Sequence, residues 1–303
     1  MRDVVAHLEI KGGQRVFTPI HVTLLLKVPV PKVPNPNLLT KGDRNLFPCH
    51  VYMKVLLLLI ALVLLFLASK SAYTGERGKI VCSMTTIPPR YDIIQKTLDS
   101  LQRQTISPDV IYINVAPETM KSHPQDIPRL EEIAKKYPNV RVNVIEKDLG
   151  PITKIIPIEK FVSRGDSVIL VDDDVVYQPT MIEGLVNTGL PAAGYAGRTK
   201  DLTFIAGDSL QKNARVDFLE AYAGVMYDGG LIQGLGDHND SLGQTCITQD
   251  DIKIGQFLAN KGTKLFVVPT KDFAKHDAHG TPELNKENLS HINASCVKEL
   301  MSS

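Results

Sequence analysis

From residue 79 onward, short apolar runs alternate with segments that have helical periodicity. The segment 91–104 shows the helical pattern, because Ile94, Leu98 and Leu101 fall on one face. The same reasoning predicts strands at 80–84, 110–115, 140–145 and 167–171, and helices at 91–104, 128–137, 152–161, 180–188 and 252–260. This alternation predicts an α/β domain with a largely parallel sheet and helices on both faces. Ligands of such sheets bind beyond the carboxyl ends of the strands.

The first 72 residues follow a different pattern. Residues 1–52 contain the proline-rich stretch 28–36, which predicts a disordered extension, or untranslated sequence ahead of a start at Met53. Residues 55–68 form an unbroken apolar run. A helix of that length is about 21 Å long, against a hydrocarbon core of about 30 Å. We interpret residues 53–72 as an uncleaved signal anchor that contacts the membrane through residues 53–70, with a cleaved signal peptide as the alternative.

These boundaries leave residues 73–303 for one folded domain. The expected location is therefore a single-pass membrane, in type II orientation, with this domain in a Golgi- or ER-like lumen; a cleaved signal would instead give a secreted protein. Three N-x-S/T triplets, beginning at residues 239, 288 and 293, would be usable glycosylation sites in such a lumen.

Charge and cysteine content exclude some classes of function. The chain has 34 basic and 33 acidic residues, and this balance gives no support for a nucleic-acid partner. The cysteines Cys49, Cys82, Cys246 and Cys296 form no CxxC pair, so a thiolate zinc site is not expected. We interpret all of them as unpaired thiols, with a Cys246–Cys296 disulfide in an oxidising compartment as the alternative.

Three consecutive aspartates, Asp172, Asp173 and Asp174, follow the apolar run 168–171 directly. The run predicts a central strand, so the aspartates should lie at its carboxyl end. Adjacent carboxylates repel one another unless a cation or strong donors are present. If the chain stays extended, Asp172 and Asp174 point to one side and could hold one Mg²⁺ or Mn²⁺ ion. The alternative is a solvated acidic turn that caps the next helix.

The strand with Asp172-x-Asp174 resembles the DxD motif of GT-A glycosyltransferases, and further segments resemble a GT2-like set. These are CSMTTIPPR at 82–90, TLDSLQRQ at 97–104 followed by Pro108-Asp109, GPITK at 150–154, and QDDI at 249–252. Together they cover roughly residues 79–280, and their order and spacing make the match more specific than any one motif. The resemblance implies a GT-A-like, Rossmann-related α/β fold that follows an N-terminal anchor helix in the sequence. It also implies a transferase that moves a hexose or pentose from a nucleotide-sugar, UDP-sugar in preference to GDP-sugar, to a glycan, protein or lipid acceptor.

The resemblance also implies roles for individual residues. Asp174 would bind Mn²⁺ or Mg²⁺, Asp172 would bind the ribose or the metal, and Asp173 would support the nucleotide-binding loop. Further residues expected near the donor are Thr85, Thr86, Arg90 and Lys154. The metal site would be completed by His276 or, as second choice, by His279; both could also be plain surface residues.

Asp250 or Asp251 would be the general base on the acceptor hydroxyl if the transfer inverts the anomeric centre. The alternative is a helix N-cap, a frequent use of aspartate, and one residue could cap while the other catalyses. The glycine-rich segment 224–236 lacks the GxGxxG or Walker spacing, so we interpret it as a flexible loop on the acceptor side.

Two other functions fit parts of the sequence. In a HAD-type phosphatase, Asp172 would be the nucleophile, Asp174 the acid/base and Asp250–Asp251 the late acidic pair. The nucleophile strand of that class normally opens its domain, whereas strands and helices precede this one. A non-catalytic carbohydrate-binding protein would retain the fold but has no need of intact acidic motifs.

Overall fold

The computed structural model describes residues 78–119, 124, 126–243, 246–271, 277–278 and 289–301. The α-helices of this part are α1 (Ile94–Gln102), α2 (Ile127–Ala134), α3 (Met181–Val186), α4 (Leu235–Leu242), α5 (Asp250–Asn260) and α6 (Leu289–Leu300). The first seven strands are β1 (Ile80–Thr85), β2 (Val110–Val115), β3 (Val140–Val144), β4 (Ser167–Leu170), β5 (Val175–Val176), β6 (Ala192–Gly194) and β7 (Ala196–Arg198). The others are β8 (Phe204–Ala206), β9 (Ala214–Val216), β10 (Phe218–Leu219), β11 (Val225–Asp228), β12 (Leu265–Val267) and β13 (Asp277–Ala278).

The main sheet begins as predicted, with four parallel strands in the order β3-β2-β1-β4. Cys82 in β1 lies opposite Ile111 in β2 on one side and Ile169 in β4 on the other. Because parallel strands share a direction, the carboxyl ends of β1 and β4 meet at one edge of the sheet. The loops that follow these two strands carry Thr86 and the three aspartates, so the sheet brings distant motifs together.

The other half of the sheet is mixed, in the order β4-β11-β6-β12-β9. β11 pairs antiparallel with both β4 and β6. Val225, Met226 and Tyr227 in this strand are buried, so the interpretation of segment 224–236 as a flexible loop was wrong. Five glycines in this segment surround a short apolar run, which obscures the strand pattern in the sequence although the run is buried within the sheet. A smaller sheet with the order β10-β7-β8 lies alongside.

Helices cover both faces of the main sheet, as predicted. Side chains of β1 alternate between two apolar clusters: Ile80, Cys82 and Met84 belong to one, and Val81 belongs to the other. The first cluster includes α1, α2 and α3, and the second includes α4 and α5. This alternation is the period of two expected of a strand that is buried on both faces.

The segment 152–161 is not the α-helix that its periodicity predicts. It forms two 3₁₀ helices, Gly150–Lys154 and Ile156–Phe161, each with a proline in its first turn. Pro157 lacks a backbone N–H, so it cannot donate to the preceding turn and a continuous α-helix is interrupted there. The short turns still bury Ile152, Ile155 and Ile158.

The C-terminal helix α6 is covalently linked to the segment before α5. Cys246 and Cys296 form a disulfide, so the interpretation of these two cysteines as unpaired thiols was wrong. Their separation of 50 residues gives the sequence no local signal for pairing. Cys82 is a buried free thiol, and burial raises its pKa.

The predictions for residues 1–72 concern a part of the chain outside the described residues. Within the described ranges, no helix combines the length and apolar character needed to cross a lipid bilayer.

Candidate active site

The three aspartates lie at the carboxyl edge of the main sheet, where β4 ends. Val171 still donates its N–H to the carbonyl oxygen of Ser83 in β1, at 3.2 Å. The N–H of Asp172 then donates to the Tyr177 hydroxyl at 2.8 Å, and the chain turns at residues 173 and 174. We expected an extended chain here, but the turn instead brings Asp172 to Lys154, and Asp173 and Asp174 to Arg90.

Asp173 faces the protein interior and holds the loop after β1. Its carboxylate accepts hydrogen bonds from Thr86 Oγ1 and Arg90 Nη1, both at 2.6 Å. Its carbonyl oxygen accepts a third from Thr97 Oγ1 at 2.9 Å, which fixes the turn on α1. Burial raises the pKa of Asp173 to about 6, against the opposing effects of Arg90 and Thr86. Asp173 therefore links the acidic turn to the loop after β1 that carries Thr86 and Arg90.

Arg90 connects this buried carboxylate to the surface. Its Nη2 lies 3.3 Å from Asp174 Oδ2, and the side chains of Arg90 and Asp174 are each 18% exposed. Burial lowers the pKa of Arg90, but Asp173 and Asp174 more than offset it, so the guanidinium stays charged. Thr85, at the end of β1, donates from Oγ1 to the carbonyl oxygen of Asn114 at 2.9 Å.

Lys154 is the buried cation at the centre of the site. Its side chain is only 8% exposed, and Nζ lies 2.7 Å from Asp172 Oδ1 and 3.2 Å from Asp250 Oδ2. The second contact is an ion contact without hydrogen-bond geometry, because Asp250 Oδ2 has no hydrogen-bond donor among the described residues. Burial lowers the pKa of Lys154, but Asp172, Asp250 and Asp251 raise it well above its usual value. Lys154 therefore remains protonated.

The backbone around Lys154 is fixed by neighbouring strands. Its carbonyl oxygen accepts from Ser83 Oγ in β1 at 2.5 Å and from Asn114 Nδ2 in β2 at 3.4 Å. Gly150 starts the turn with a φ of 78°, a left-handed conformation that favours glycine. Asp148 Oδ1 accepts from the N–H of Gly150 and from Thr153 Oγ1. The GPITK segment at 150–154 is therefore a rigid support that positions Lys154 at the carboxyl edge of the sheet.

Asp250 and Asp251 form the first turn of α5. The N-cap residue is Gln249, and neither aspartate occupies that position, so the N-cap alternative was wrong. Carboxylates in a first helical turn are still favoured by the helix dipole. Asp251 Oδ1 accepts from the N–H of Ala221 at 3.3 Å. Burial raises the pKa of Asp251 well above its usual value, and Asp250 raises it further.

Sequence reasoning missed the carboxylate of Glu220, which lies on the same side of the site as Asp251. Glu220 raises the pKa of Asp251, while its own Oε1 accepts from Arg198 Nε at 2.6 Å. No signal in the sequence marks it, since Glu220 follows a strand of only two residues, β10.

The predicted ligands His276 and His279 lie outside the described residues. Two residues between these histidines are described by the structure. Asp277 and Ala278 form β13, which pairs antiparallel with Val176 and Val175 in β5. β5 follows Asp174 directly, so part of the C-terminal segment lies beside the acidic turn.

The donor set at the turn fits a hard divalent cation. Asp172 and Asp174 offer carboxylate oxygens, and their side chains are 29% and 18% exposed. Within the described ranges no three His, Cys, Asp or Glu side chains are grouped as a complete metal site. Mg²⁺-type ions are often held by only one or two carboxylates and by substrate phosphates. Two accessible carboxylates therefore suit Mn²⁺ or Mg²⁺ that arrives with a phosphate ligand.

Comparison with known proteins agrees with the resemblance found in the sequence. Residues 80–207, which span β1 to β8, match the profile described as Glycosyltransferase like family 2. This part of the chain is therefore similar to a glycosyltransferase family 2 domain. No curated protein matches the chain.

Several solved structures are similar at low identity. The mannosyltransferase PcManGT from Pyrobaculum calidifontis, in complex with GDP-Man and Mn²⁺, is 14% identical with a TM-score of 0.45, over 65% of this chain and 56% of that chain. S. aureus TarS 1-349 is 14% identical with a TM-score of 0.44, over 64% and 58%. The same protein in complex with UDP is 15% identical with a TM-score of 0.39, over 59% and 54%. The chain thus spans just over half of the length of each of these structures.

Proposed function

We propose that this chain is a metal-dependent glycosyltransferase that moves a sugar from a nucleotide-diphosphate donor to a hydroxyl of a glycan, protein or lipid. The observation that carries this proposal is the pair of contacts made by Lys154, to Asp172 after β4 and to Asp250 in α5. One buried cation thereby joins the residues expected to face the donor to those expected to face the acceptor. An acidic turn that only caps a helix has no need of such a bridge.

The donor side would stabilise the departing nucleoside diphosphate. Arg90 and Lys154 are fixed positive charges at the carboxyl edge, and preorganised charges stabilise developing negative charge without further reorganisation. Asp172 and Asp174 would hold Mn²⁺ or Mg²⁺, which, when bound, supplies additional positive charge to the diphosphate. Asp173, Thr86 and Thr97 keep the turn that carries these carboxylates in place.

Asp251 is our choice for the general base. It is partly exposed, whereas Asp250 is buried against Lys154. Burial and Asp250 raise the pKa of Asp251, and a raised pKa makes its carboxylate a stronger base once the proton has left. Asp251 would take the proton of the acceptor hydroxyl as that oxygen attacks the anomeric carbon and the bond to the diphosphate breaks. A single attack of this kind inverts the anomeric centre.

The C-terminal segment would supply a further metal ligand. Ala278 lies opposite Val175, the residue next to Asp174, whereas Asp277 lies opposite Val176. His276 or, as second choice, His279 would be this ligand, because the two histidines flank this strand in the sequence. Replacing the histidine that binds the metal by alanine should weaken Mn²⁺ binding, whereas replacing the other should leave Mn²⁺ binding unchanged.

The proposed setting is the lumen of a membrane compartment. A signal anchor at residues 53–72 would hold the enzyme beside its acceptors, in type II orientation. The Cys246–Cys296 disulfide supports this proposal, because disulfides persist in oxidising compartments. UDP-sugars are the first donors to test, and GDP-sugars the second.

The test is release of nucleoside diphosphate by the full-length chain in detergent, with Mn²⁺, a panel of UDP- and GDP-sugars and mixed glycoside acceptors. Asp174→Asn and Asp251→Asn should each lower the rate by about 100-fold or more. The control is Asp92→Asn, because the Asp92 side chain is 85% exposed and pairs with Arg129 on the surface. Its rate should stay within about twofold of wild type.

Two results would overturn the proposal. Phosphate release from simple phosphoesters that depends on Asp172 would identify a phosphatase. Glycan binding with no cleavage of any donor would identify a non-catalytic carbohydrate-binding protein.

A further inference from the structure

Two exposed aromatic side chains stand out on the smaller sheet and the turn that follows it. Phe204 in β8 is 42% exposed, and Tyr222 in the 3₁₀ turn Ala221–Ala223 is 38% exposed. Exposed aromatic groups that lie near one another usually mark a surface that binds something. Neither residue belongs to the motifs that carry the glycosyltransferase resemblance.

Arg198 contacts Phe204 directly and also binds Glu220, which lies two residues before Tyr222 in the chain. Its guanidinium lies over the Phe204 ring, 5.0 Å from the centroid, and its Nε donates to Glu220 Oε1 at 2.6 Å. Nη1 also donates to the carbonyl oxygen of Leu202 at 3.2 Å, just before β8. Arg198 and Glu220 both act on the pKa of Tyr222, which burial raises to about 12. We call Arg198, Phe204, Glu220 and Tyr222 the aromatic corner.

The aromatic corner is attached to the proposed general base. Ala221, between Glu220 and Tyr222, donates its N–H to Asp251 Oδ1. Close packing also holds α5 against β10. A Cβ atom added to Gly255 of α5 would lie only 2.6 Å from the carbonyl oxygen of Asp217 and 2.6 Å from the Cβ of Phe218, so there is no room for a side chain at this position. The helix that carries Asp251 is therefore pressed against β10, the strand that leads to Glu220. The corner and the base cannot move far apart.

Glu220 carries a polar atom in need of a donor. Its Oε2 is buried and has no hydrogen-bond partner among the described residues. A buried carboxylate oxygen without a donor costs free energy, and a ligand hydroxyl can remove that cost. Because Arg198 holds Oε1, the direction of Oε2 is set before any ligand arrives.

We propose that the aromatic corner is the subsite for a carbohydrate acceptor, with the C–H face of a sugar ring packed on Tyr222 and Phe204. This rests on the proposed function, because it assigns the acceptor side of that reaction. Ring stacking selects a sugar over a peptide or a lipid chain, and Glu220 Oε2 accepts a hydrogen bond from a hydroxyl of that sugar.

The first test measures binding alone. Saturation-transfer NMR is recorded on the full chain with nitrophenyl β-glucoside, β-galactoside and α-mannoside as probes. At least one glycoside should show transfer to its ring protons, and Tyr222→Ala and Phe204→Ala should each reduce the signal at least fivefold. Phe161→Ala is the matched control, because Phe161 is also exposed at 41% but stacks on Tyr112 elsewhere. The proposal would be overturned if wild type and Tyr222→Ala gave equal signals, or if no glycoside gave a signal with wild type.

The second test separates the subsite from the enzyme class. Tyr222→Ala and Glu220→Gln should each raise the KM for the glycoside acceptor at least tenfold. In Tyr222→Ala, the donor KM and donor cleavage without acceptor should stay within twofold of wild type. An unchanged acceptor KM, or transfer to a serine-containing peptide in preference to every glycoside, would contradict the subsite even if the donor is cleaved. Complete absence of donor cleavage would instead refute the proposed function.

Discussion

At the scale of single residues, Lys154 decides how the site is organised. A buried ammonium ion is costly to desolvate, and only nearby carboxylates with good geometry repay that cost. Asp172 supplies the closest contact, and Asp250 and Asp251 add to the favourable potential. The positive charge of Lys154 in turn allows Asp172 and Asp250 to lie near each other, although two carboxylates alone would repel each other.

This arrangement predicts strong coupling between Lys154 and Asp172. Lys154→Met should lower the free energy of unfolding by about 3–5 kcal/mol, because it leaves buried carboxylates without their cation. Adding Asp172→Asn should restore part of that loss, so the two changes together cost less than their sum. Urea unfolding of wild type, both single variants and the double variant measures the coupling. Strictly additive effects would show that the 2.7 Å contact is unimportant for stability.

The sequence identified most of the residues at the candidate site, but it did not predict the contacts between them. The three aspartates, Lys154 and the Asp250–Asp251 pair were identified from motif order. Which carboxylate is buried depends on the turn at residues 173 and 174, and no pattern of apolar positions encodes it. Glu220 was missed, because a glutamate becomes significant only when folding places it near Asp251.

At the scale of elements, α4 and α5 share an unusual buried pair. Lys253 in α5 is 1% exposed, and its Nζ donates to Asn239 Oδ1 in α4 at 3.0 Å. Asn239 begins one of the three glycosylation triplets, and it is itself buried. Its side chain therefore joins two helices instead of facing a glycosylating enzyme.

The buried lysine predicts a specific pH dependence of stability. Burial lowers the pKa of Lys253 in the folded chain below its ordinary value of 10.5, although Asp250 opposes the shift. As pH rises through the window just below 10.5, the unfolded chain holds more protons at this position than the folded chain, so folding becomes more favourable. The free energy of unfolding of wild type minus that of Lys253→Met should therefore increase as pH rises from the lowered folded-state pKa towards the ordinary value of 10.5. A difference that stays constant over this range would show that Lys253 keeps an ordinary pKa.

Element types were predicted best where one period dominates. The strands β1 to β4 and the helices α1 to α3 match the predicted segments closely, because their apolar positions repeat cleanly. Segment 152–161 has the right periodicity, but its proline breaks the α-helix. β11 was missed because glycines surround it, and a strand of four residues is too short to show alternation.

At the scale of the whole molecule, the sheet brings together motifs that lie far apart in the chain. Parallel pairing of β1 and β4 places Thr86 and Arg90 beside Asp173, 83 to 87 residues away. The order of the four parallel strands follows from their connections, but the position of β11 between β4 and β6 does not. Long-range antiparallel pairing leaves no trace in local sequence, and neither does the Cys246–Cys296 disulfide.

The disulfide predicts a large contribution to global stability. It closes a loop of 50 residues and attaches α6 to the segment before Asp250. Chain-entropy arguments give about 4 kcal/mol for a loop of this size. Dithiothreitol should lower the thermal midpoint of wild type but leave a Cys246→Ala/Cys296→Ala variant unchanged. Equal midpoints for reduced and oxidised wild type would contradict a stabilising disulfide.

The most direct test of the account is an electron paramagnetic resonance titration of Mn²⁺ onto the full chain with and without UDP. The central claim is that the acidic turn and Lys154 form one site for a divalent ion and a nucleoside diphosphate. We expect one tightly bound Mn²⁺ per chain when UDP is present, lost in Asp172→Asn and Asp174→Asn and kept in Asp92→Asn. Identical Mn²⁺ binding by all four proteins, or none by wild type with UDP or GDP, would contradict the claim.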